Sequence, residues 1–259
     1  MKVDFATFCH AGDAHRLHAP GQLKKQVESN NFEFDKIIVI YQMCDPLYYA
    51  PCPEPLRGGN DILPYTPFPG YHVNISTYEI NHIDGMLHKF GIDLDKPQYA
   101  SQTDKAHTWK NHVVNHLTAI NQSNADYIVF ADNDCWMVRQ PEGKSWIERG
   151  IELLRRHDCF IVSPNDGEPE RKTRRMSQQM FMARNEEFRY ADFNQPGWDR
   201  NVNIPGGPMP EYWGMLEGRM ELHCRFAGKY RYILPPEYRY WHFNKLTKDG
   251  LFETDLSKY

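Results

Sequence analysis

Tyr127-Ile128-Val129-Phe130-Ala131 is an unbroken apolar run that ends on Asp132-Asn133-Asp134. A strand that is apolar at every position has no face to give to water, so it belongs inside a sheet covered on both sides. Such sheets are built from parallel strands, because helical crossovers are what place helices on both faces. Lys36-Ile37-Ile38-Val39-Ile40-Tyr41 repeats the pattern, and Val3 to Phe8 and Cys159-Phe160-Ile161-Val162 read as further strands. Helical spacing fills the intervals: Leu23 with Val27; Ile80, Ile83, Leu87 and Phe90 up to Gly91; Val113, Val114, Leu117 and Ile120; Trp146, Ile147, Ile151 and Leu154. A last helix is expected from about Met215 to Phe226, stopped by Gly228 and followed by a strand from Tyr230 to Leu234. The predicted fold is α/β, a mixed, mostly parallel sheet flanked by helices. Residues 46–72, rich in Pro, Gly and Tyr, predict a surface loop, and the charged residues 166–176 a second. No repeat, low-complexity tract or linker interrupts the chain, so residues 1–259 are expected to form a single domain.

Composition narrows the function. Acids outnumber bases 34 to 30, for a net charge of -4, which argues against a general nucleic-acid partner that must neutralise phosphates. Hydrophobic residues at 41% against 25% charged describe a globular chain. No apolar run approaches the roughly 18 residues that cross a bilayer, and Met1-Lys2 leads into a short apolar stretch broken by Asp4 rather than a signal peptide. The cytoplasm is the expected location. Six cysteines, at 9, 44, 52, 135, 159 and 224, form no C-x-x-C pair. They predict neither a structural zinc site nor a redox dithiol, and Cys135 and Cys159 read as small buried hydrophobes.

Acids at i and i+2 of extended chain point to one side. Asp132 and Asp134 are thus placed to share a hard divalent cation, Mg²⁺ or Mn²⁺, just beyond a buried strand's carboxyl end, where open α/β sheets bind ligands. The triplet alone decides little. With 18 Asp in 259 positions, chance supplies about one, and Asp93-Leu94-Asp95 is a second. Weight comes from the apolar strand before it and the helix bearing Lys105, Lys110 and Asn111 before that.

The stretch from Asp104 to Met137 (DKAHTWKNHVVNHL, then NADYIVFADNDCWM) resembles the central segment of GT-A glycosyltransferases, in particular the family 2-like group. Trp213-Gly214, an acid, a helix ending Arg225-Phe226-Ala227-Gly228, a strand and then Tyr240-Trp241-His242 resemble that group's acceptor-side helix and late histidine. The resemblance spans most of residues 1 to 245, with these two blocks specific to it. Two places depart from it: Tyr41-Gln42-Met43-Cys44-Asp45 follows the second strand, and Glu217-Gly218-Arg219 stands where the group has paired acids.

The resemblance implies a Rossmann-like GT-A sheet and transfer of a sugar from a nucleotide-diphosphate donor, UDP-sugar favoured, to a saccharide or other hydroxyl acceptor. Asp132, Asp134 and His242 become the metal ligands, and Glu217 the general base, with Glu211 and Glu221 as reserves. A base opposite the leaving group favours inversion. Phe8, His10, Asp13, Arg16, Gln42, Lys105, Lys110, Asn111 and Asn133 are expected around the sugar nucleotide, and Gln178 and Trp213 around the acceptor. The run Arg171-Lys172-Thr173-Arg174-Arg175 reads as a solvated loop, or as a peripheral contact for an anionic acceptor or membrane. Two other readings compete. Gly12-Asp13-Ala14-His15 superficially resembles a metallophosphoesterase turn, but no G-N-H-[DE] segment accompanies it. A GT-A-shaped protein that binds a sugar nucleotide or partner without turnover is the non-enzymatic alternative.

Overall fold

The computed structural model describes residues 1–10, 22–43, 71–76, 114–177, 179–193, 203–208 and 216–242. The elements are β1 (Val3–His10), α1 (Gln22–Glu28), β2 (Lys36–Met43), β3 (Tyr71–Ser76) and a helical run over 114–122, α2. Next come β4 (Tyr127–Asp132), β5 (Cys135–Arg139), α3 (Trp146–Leu154), β6 (Cys159–Ser163), β7 (Arg171–Thr173) and β8 (Met180–Arg184). Last are α4 (Asn185–Arg189), α5 (Leu216–Ala227), β9 (Tyr230–Ile233) and β10 (Arg239–His242).

Eight strands form one sheet in the order β3-β2-β1-β4-β8-β6-β9-β7, while β5 and β10 make a separate antiparallel ribbon. β3, β2, β1 and β4 are mutually parallel, and β9 is parallel to β6. β8 runs against β4 and β6, and β7 against β9. The fold is the expected α/β class with a mixed, mostly parallel sheet.

Alternation along the central strands sorts the core into two layers. Ala6, Phe8, Ile38, Ile40, Ile128 and Phe130 share one with Leu117 and Ile120 of α2 and Leu216 and Met220 of α5. Phe5, Val39, Val129 and Ala131 share the other with Leu23 and Val27 of α1 and Trp146 and Ile151 of α3. Helices therefore cover both faces, which is why residues 128–131 carry no polar side chain. The first layer is aromatic: Phe130 lies 4.8 Å from Phe181 and 5.5 Å from Phe188, and Phe8 lies 4.4 Å from His116 between ring centroids. Buried rings of this kind cost about 3–5 kcal/mol when truncated to alanine.

Two helix ends follow their local chemistry. Ser145 and Glu148 form a reciprocal capping box at the start of α3. At the end of α5, Gly228 adopts φ +68°, and the next residue's N–H donates to the Cys224 carbonyl at 2.9 Å, a closure that glycine permits.

Among the departures from expectation are three segments. Cys135–Arg139, where no strand was expected, is β5; it owes its pairing to β10, far along the chain. Tyr71 and His72, expected in a loop, and Ser76, expected to cap a helix, all belong to β3, an outer strand of the sheet. Arg171–Thr173, expected in a loop, is β7 at the other outer edge. A short charged strand suits that place, because charge deters further edge pairing. The expected helix over Ile80 to Phe90 and the Asp93-Leu94-Asp95 triplet lie outside the described residues. Among the described residues no helix is long and apolar enough to cross a membrane.

Candidate metal centre

The strand order fixes the location. From β1 the chain builds outward through β2 to β3, then returns to the opposite side of β1 as β4. The carboxyl ends of β1 and β4 thus flank a topological switch point, where open α/β sheets leave a crevice. Asp132, the last residue of β4, is in register with Phe8, and His10 is in register with Gln42 one strand further. By alternation Asp132 follows Ile128 and Phe130 toward the α2 and α5 side.

A tight turn through Asn133 and Asp134 leads into β5, whose pairing with β10 sets His242 opposite Cys135. One ligand atom from each of Asp132, Asp134, Cys135 and His242 lies within 4.8 Å of the others. His242 Nε2 is 2.9 Å from Asp134 Oδ2. On its other nitrogen, Nδ1 is 3.0 Å from Gln179 Nε2, and the Tyr240 hydroxyl donates to Gln179 Oε1 at 3.0 Å.

The main chain of this turn is gripped from two sides. Gln26 of α1, fully buried, donates its amide hydrogens to the carbonyls of Asp132 at 2.7 Å and Cys135 at 3.0 Å. The Asp132 N–H donates to the Gln179 carbonyl at 2.8 Å. Gln26 is backed by the Asn30 amide, which donates to its carbonyl at 2.9 Å, and the Trp146 indole donates to Asn30 Oδ1 at 2.8 Å. The turn is therefore anchored to α1, α3 and the residue just before β8.

Charge among the described carboxylates of the site is one-sided. Burial pushes the Asp132 carboxyl well above the usual range, and the neighbouring acids Asp134 and Glu217 push it further. Glu217, in the first turn of α5, thus lies within electrostatic reach of Asp132. The Cys135 thiol is raised too, by burial first and then by Asp132 and Asp134. Two carboxylates and an imidazole converge there, with the Cys135 sulfur beside them. That set fits a divalent ion that prefers oxygen and accepts nitrogen, Mn²⁺ more readily than Mg²⁺.

The other expected residues fall into three groups. Asn133 sits in the turn between the two aspartates. His10 and Gln42 bring their main chains to the same rim. Phe8 does so as well, while its ring, 7% exposed, packs on His116 and Phe130 in the core. Asp13, Arg16, Lys105, Lys110, Asn111, Gln178, Trp213 and Glu211 lie outside the described residues. Glu221, a reserve base, is paired with Arg225 one turn along α5.

The basic run is also corrected. Arg171 pairs with Glu168, Lys172 pairs with Asp158 at 2.6 Å and lies 3.8 Å from the Tyr230 ring, and Arg174 donates to the Tyr230 hydroxyl at 3.1 Å. These cations hold the β7 edge together, so the structure lends no support to a peripheral anionic contact. Sequence reasoning gave no role in the metal centre to Gln26, Gln179, Tyr240 and Cys135. The one signal for the ribbon was the pair of β-favouring stretches Cys135-Trp136-Met137-Val138 and Tyr240-Trp241-His242.

No protein-family model matches the chain, and no curated protein does. Among solved structures it is similar to S. aureus TarS 1–349, at 10% identity and TM-score 0.45, covering 93% of this chain and 60% of that one. A longer S. aureus TarS structure has 11% identity and TM-score 0.42, with 93% and 36% covered. A protein from Desulfovibrio desulfuricans G20 described as a nucleotide-diphospho-sugar transferase has 12% identity and TM-score 0.38, with 91% and 80% covered. The chain thus spans less than two thirds of either TarS structure.

Proposed function

We propose that the chain is a metal-dependent glycosyltransferase that moves a sugar from a nucleotide-diphosphate donor, UDP-sugar favoured, to a saccharide or other acceptor hydroxyl with inversion. One observation carries the reading: Asp132, Asp134 and His242 converge at the carboxyl end of β4, with Glu217 near enough to act on Asp132. A divalent ion held by Asp132, Asp134 and His242 supplies charge neutralisation and Lewis acidity toward a diphosphate.

The remaining work falls to the chain's own groups. Glu217 accepts the proton of the acceptor hydroxyl as that oxygen attacks the sugar's anomeric carbon; the electron pair of the breaking bond leaves on the diphosphate. Attack from the face opposite the leaving group inverts the centre. The main chains of Phe8, His10 and Gln42 border the donor, with Asp13 and Arg16 for the nucleoside and Asn133 beside the aspartates. Lys105, Lys110 and Asn111 meet phosphate, and Gln178 and Trp213 the acceptor. Residues 1–259 act as one domain, in the cytoplasm, which agrees with the free thiols of Cys135, Cys159 and Cys224.

Thermal unfolding with UDP-, GDP- and dTDP-sugars, with and without Mn²⁺, tests the reading. A matched donor at 100 times its Kd adds about 2.7 kcal/mol of stability. The expected gain needs Mn²⁺ and disappears in Asp134→Ala, as does sugar transfer. Equal stabilisation without the ion, or full transfer by the variant, sinks the assignment.

A further inference from the structure

The Gln179 amide occupies a place that the proposed reaction does not explain. Its carbonyl oxygen accepts from the Tyr240 hydroxyl at 3.0 Å, and its nitrogen lies 3.0 Å from His242 Nδ1. His242 Nε2 in turn lies 2.9 Å from Asp134 Oδ2. A neutral imidazole carries one N–H. With the amide donating to Nδ1, that N–H is on Nε2 and is donated to Asp134. All bonds then run one way, from Tyr240 through Gln179 and His242 to Asp134.

In this arrangement Nε2 has no lone pair to offer an ion. For Nε2 to bind one, the ring proton must sit on Nδ1, and the group facing Nδ1 must accept rather than donate. An amide does both: a half-turn of its terminal group exchanges NH₂ for C=O with the other heavy atoms in place. The NH₂ then faces the Tyr240 oxygen, which accepts it, while the phenol hydrogen turns away from the amide. Tyr240 is 2% exposed, and the Gln179 carbonyl holds the Asp132 N–H, so the frame around the amide is fixed.

We propose that Gln179 is a positioning residue for His242, an amide whose half-turn, backed by Tyr240, moves the imidazole proton from Nε2 to Nδ1 as a divalent cation binds. The proposal rests on the metal centre described above. No net proton is gained or lost at the ring: Nε2 gives its proton to bulk water and Nδ1 takes one up from it. A hydrocarbon at 179 serves neither tautomer, and a carboxylate serves the ion-binding one alone.

Two measurements test it on the whole chain: Mn²⁺ affinity from the electron paramagnetic resonance signal of free ion, and ¹⁵N shifts of the His242 ring without metal and in saturating Mg²⁺. Gln179→Leu should weaken Mn²⁺ about 10- to 100-fold, the usual cost of losing a group that orients a ligand. Tyr240→Phe should weaken it several-fold, and Gln179→Glu should bind at least as tightly as wild type. Wild-type His242 should change from Nε2–H to Nδ1–H on adding Mg²⁺, whereas Gln179→Glu should show Nδ1–H in both states. Loss of Mn²⁺ binding in Asp134→Ala with wild-type affinity in a folded Gln179→Leu overturns this proposal alone. So does an unchanged tautomer in saturating Mg²⁺. A wild-type chain that binds no Mn²⁺ removes the metal reading and this one with it.

Discussion

Asp132 and Asp158 are both aspartates at strand ends, and their surroundings drive them in opposite directions. Asp132 closes β4 among acids; burial, Asp134 and Glu217 all penalise its charge. Asp158 precedes β6 and sits between Lys172 at 2.6 Å, the Tyr232 hydroxyl at 2.9 Å and Arg156 at 3.3 Å. Hydrogen bonds from Lys172, then Tyr232 and Arg156, hold its carboxyl well below the usual range despite some desolvation. One carboxylate is satisfied by the fold. The other is left needing positive charge that the described residues around it do not supply, as expected of a site shaped for a ligand rather than for stability.

Glu217 offers the sharpest way to break the contrast. If it were simply a third acid crowding Asp132, Glu217→Gln would ease the site and leave chemistry alone. As a general base it is required for the step: transfer should fall about 10²- to 10⁴-fold, with Mn²⁺-dependent donor binding retained. Initial rates beside donor titrations separate the two effects. Full transfer by the variant removes Glu217 from the mechanism, and with Glu221 paired to Arg225 the base must then be sought elsewhere.

Asp132→Asn sharpens the comparison through stability. A carboxyl whose folded pKa lies above its unfolded value of about 3.9 favours the fold while protonated, and that contribution is lost as pH rises through the folded value. The metal-free wild type should therefore lose stability as pH climbs above about 4, and Asp132→Asn should flatten that fall. At neutral pH the metal-free variant should melt above wild type, by about 2–4 °C for each kcal/mol relieved. Saturating Mn²⁺ should reverse the order, because only wild type then binds the ion. A variant that melts below wild type without metal means the Asp132 charge is compensated after all.

What could be read from sequence followed from local chemistry. The all-apolar 127–131 run required a strand covered on both faces, and the spacing of Trp146, Ile147, Ile151 and Leu154 required a helix; all these side chains are buried. Asp132 and Asp134 were legible because their context is contiguous with the strand before them. His242 was reached through resemblance, and its partners were not legible at all. Cys135 opposite His242, and Gln179 between His242 and Tyr240, depend on register between segments roughly 110 and roughly 60 residues apart, respectively. No local periodicity encodes such pairings. The basic run was misread for the same reason, because Asp158 and Tyr230 come to it across strand pairs.

Asp158→Asn gives the smallest effect and the opposite sign. Its folded pKa is lowered, so its contribution is present above the unfolded value of about 3.9 and is lost as pH falls through the folded one. At neutral pH the variant should melt below wild type by about 2–4 °C, the shift that about 1 kcal/mol produces in a chain of this size. The two melting curves should converge in acid, where wild-type Asp158 also becomes protonated. Mn²⁺ affinity should not move, because the pair with Lys172 anchors the β7 edge, strands away from the β1–β4 crevice. A change in ion binding comparable to that of Asp132→Asn would mean that the two acids belong to one electrostatic unit, and the contrast between them would dissolve.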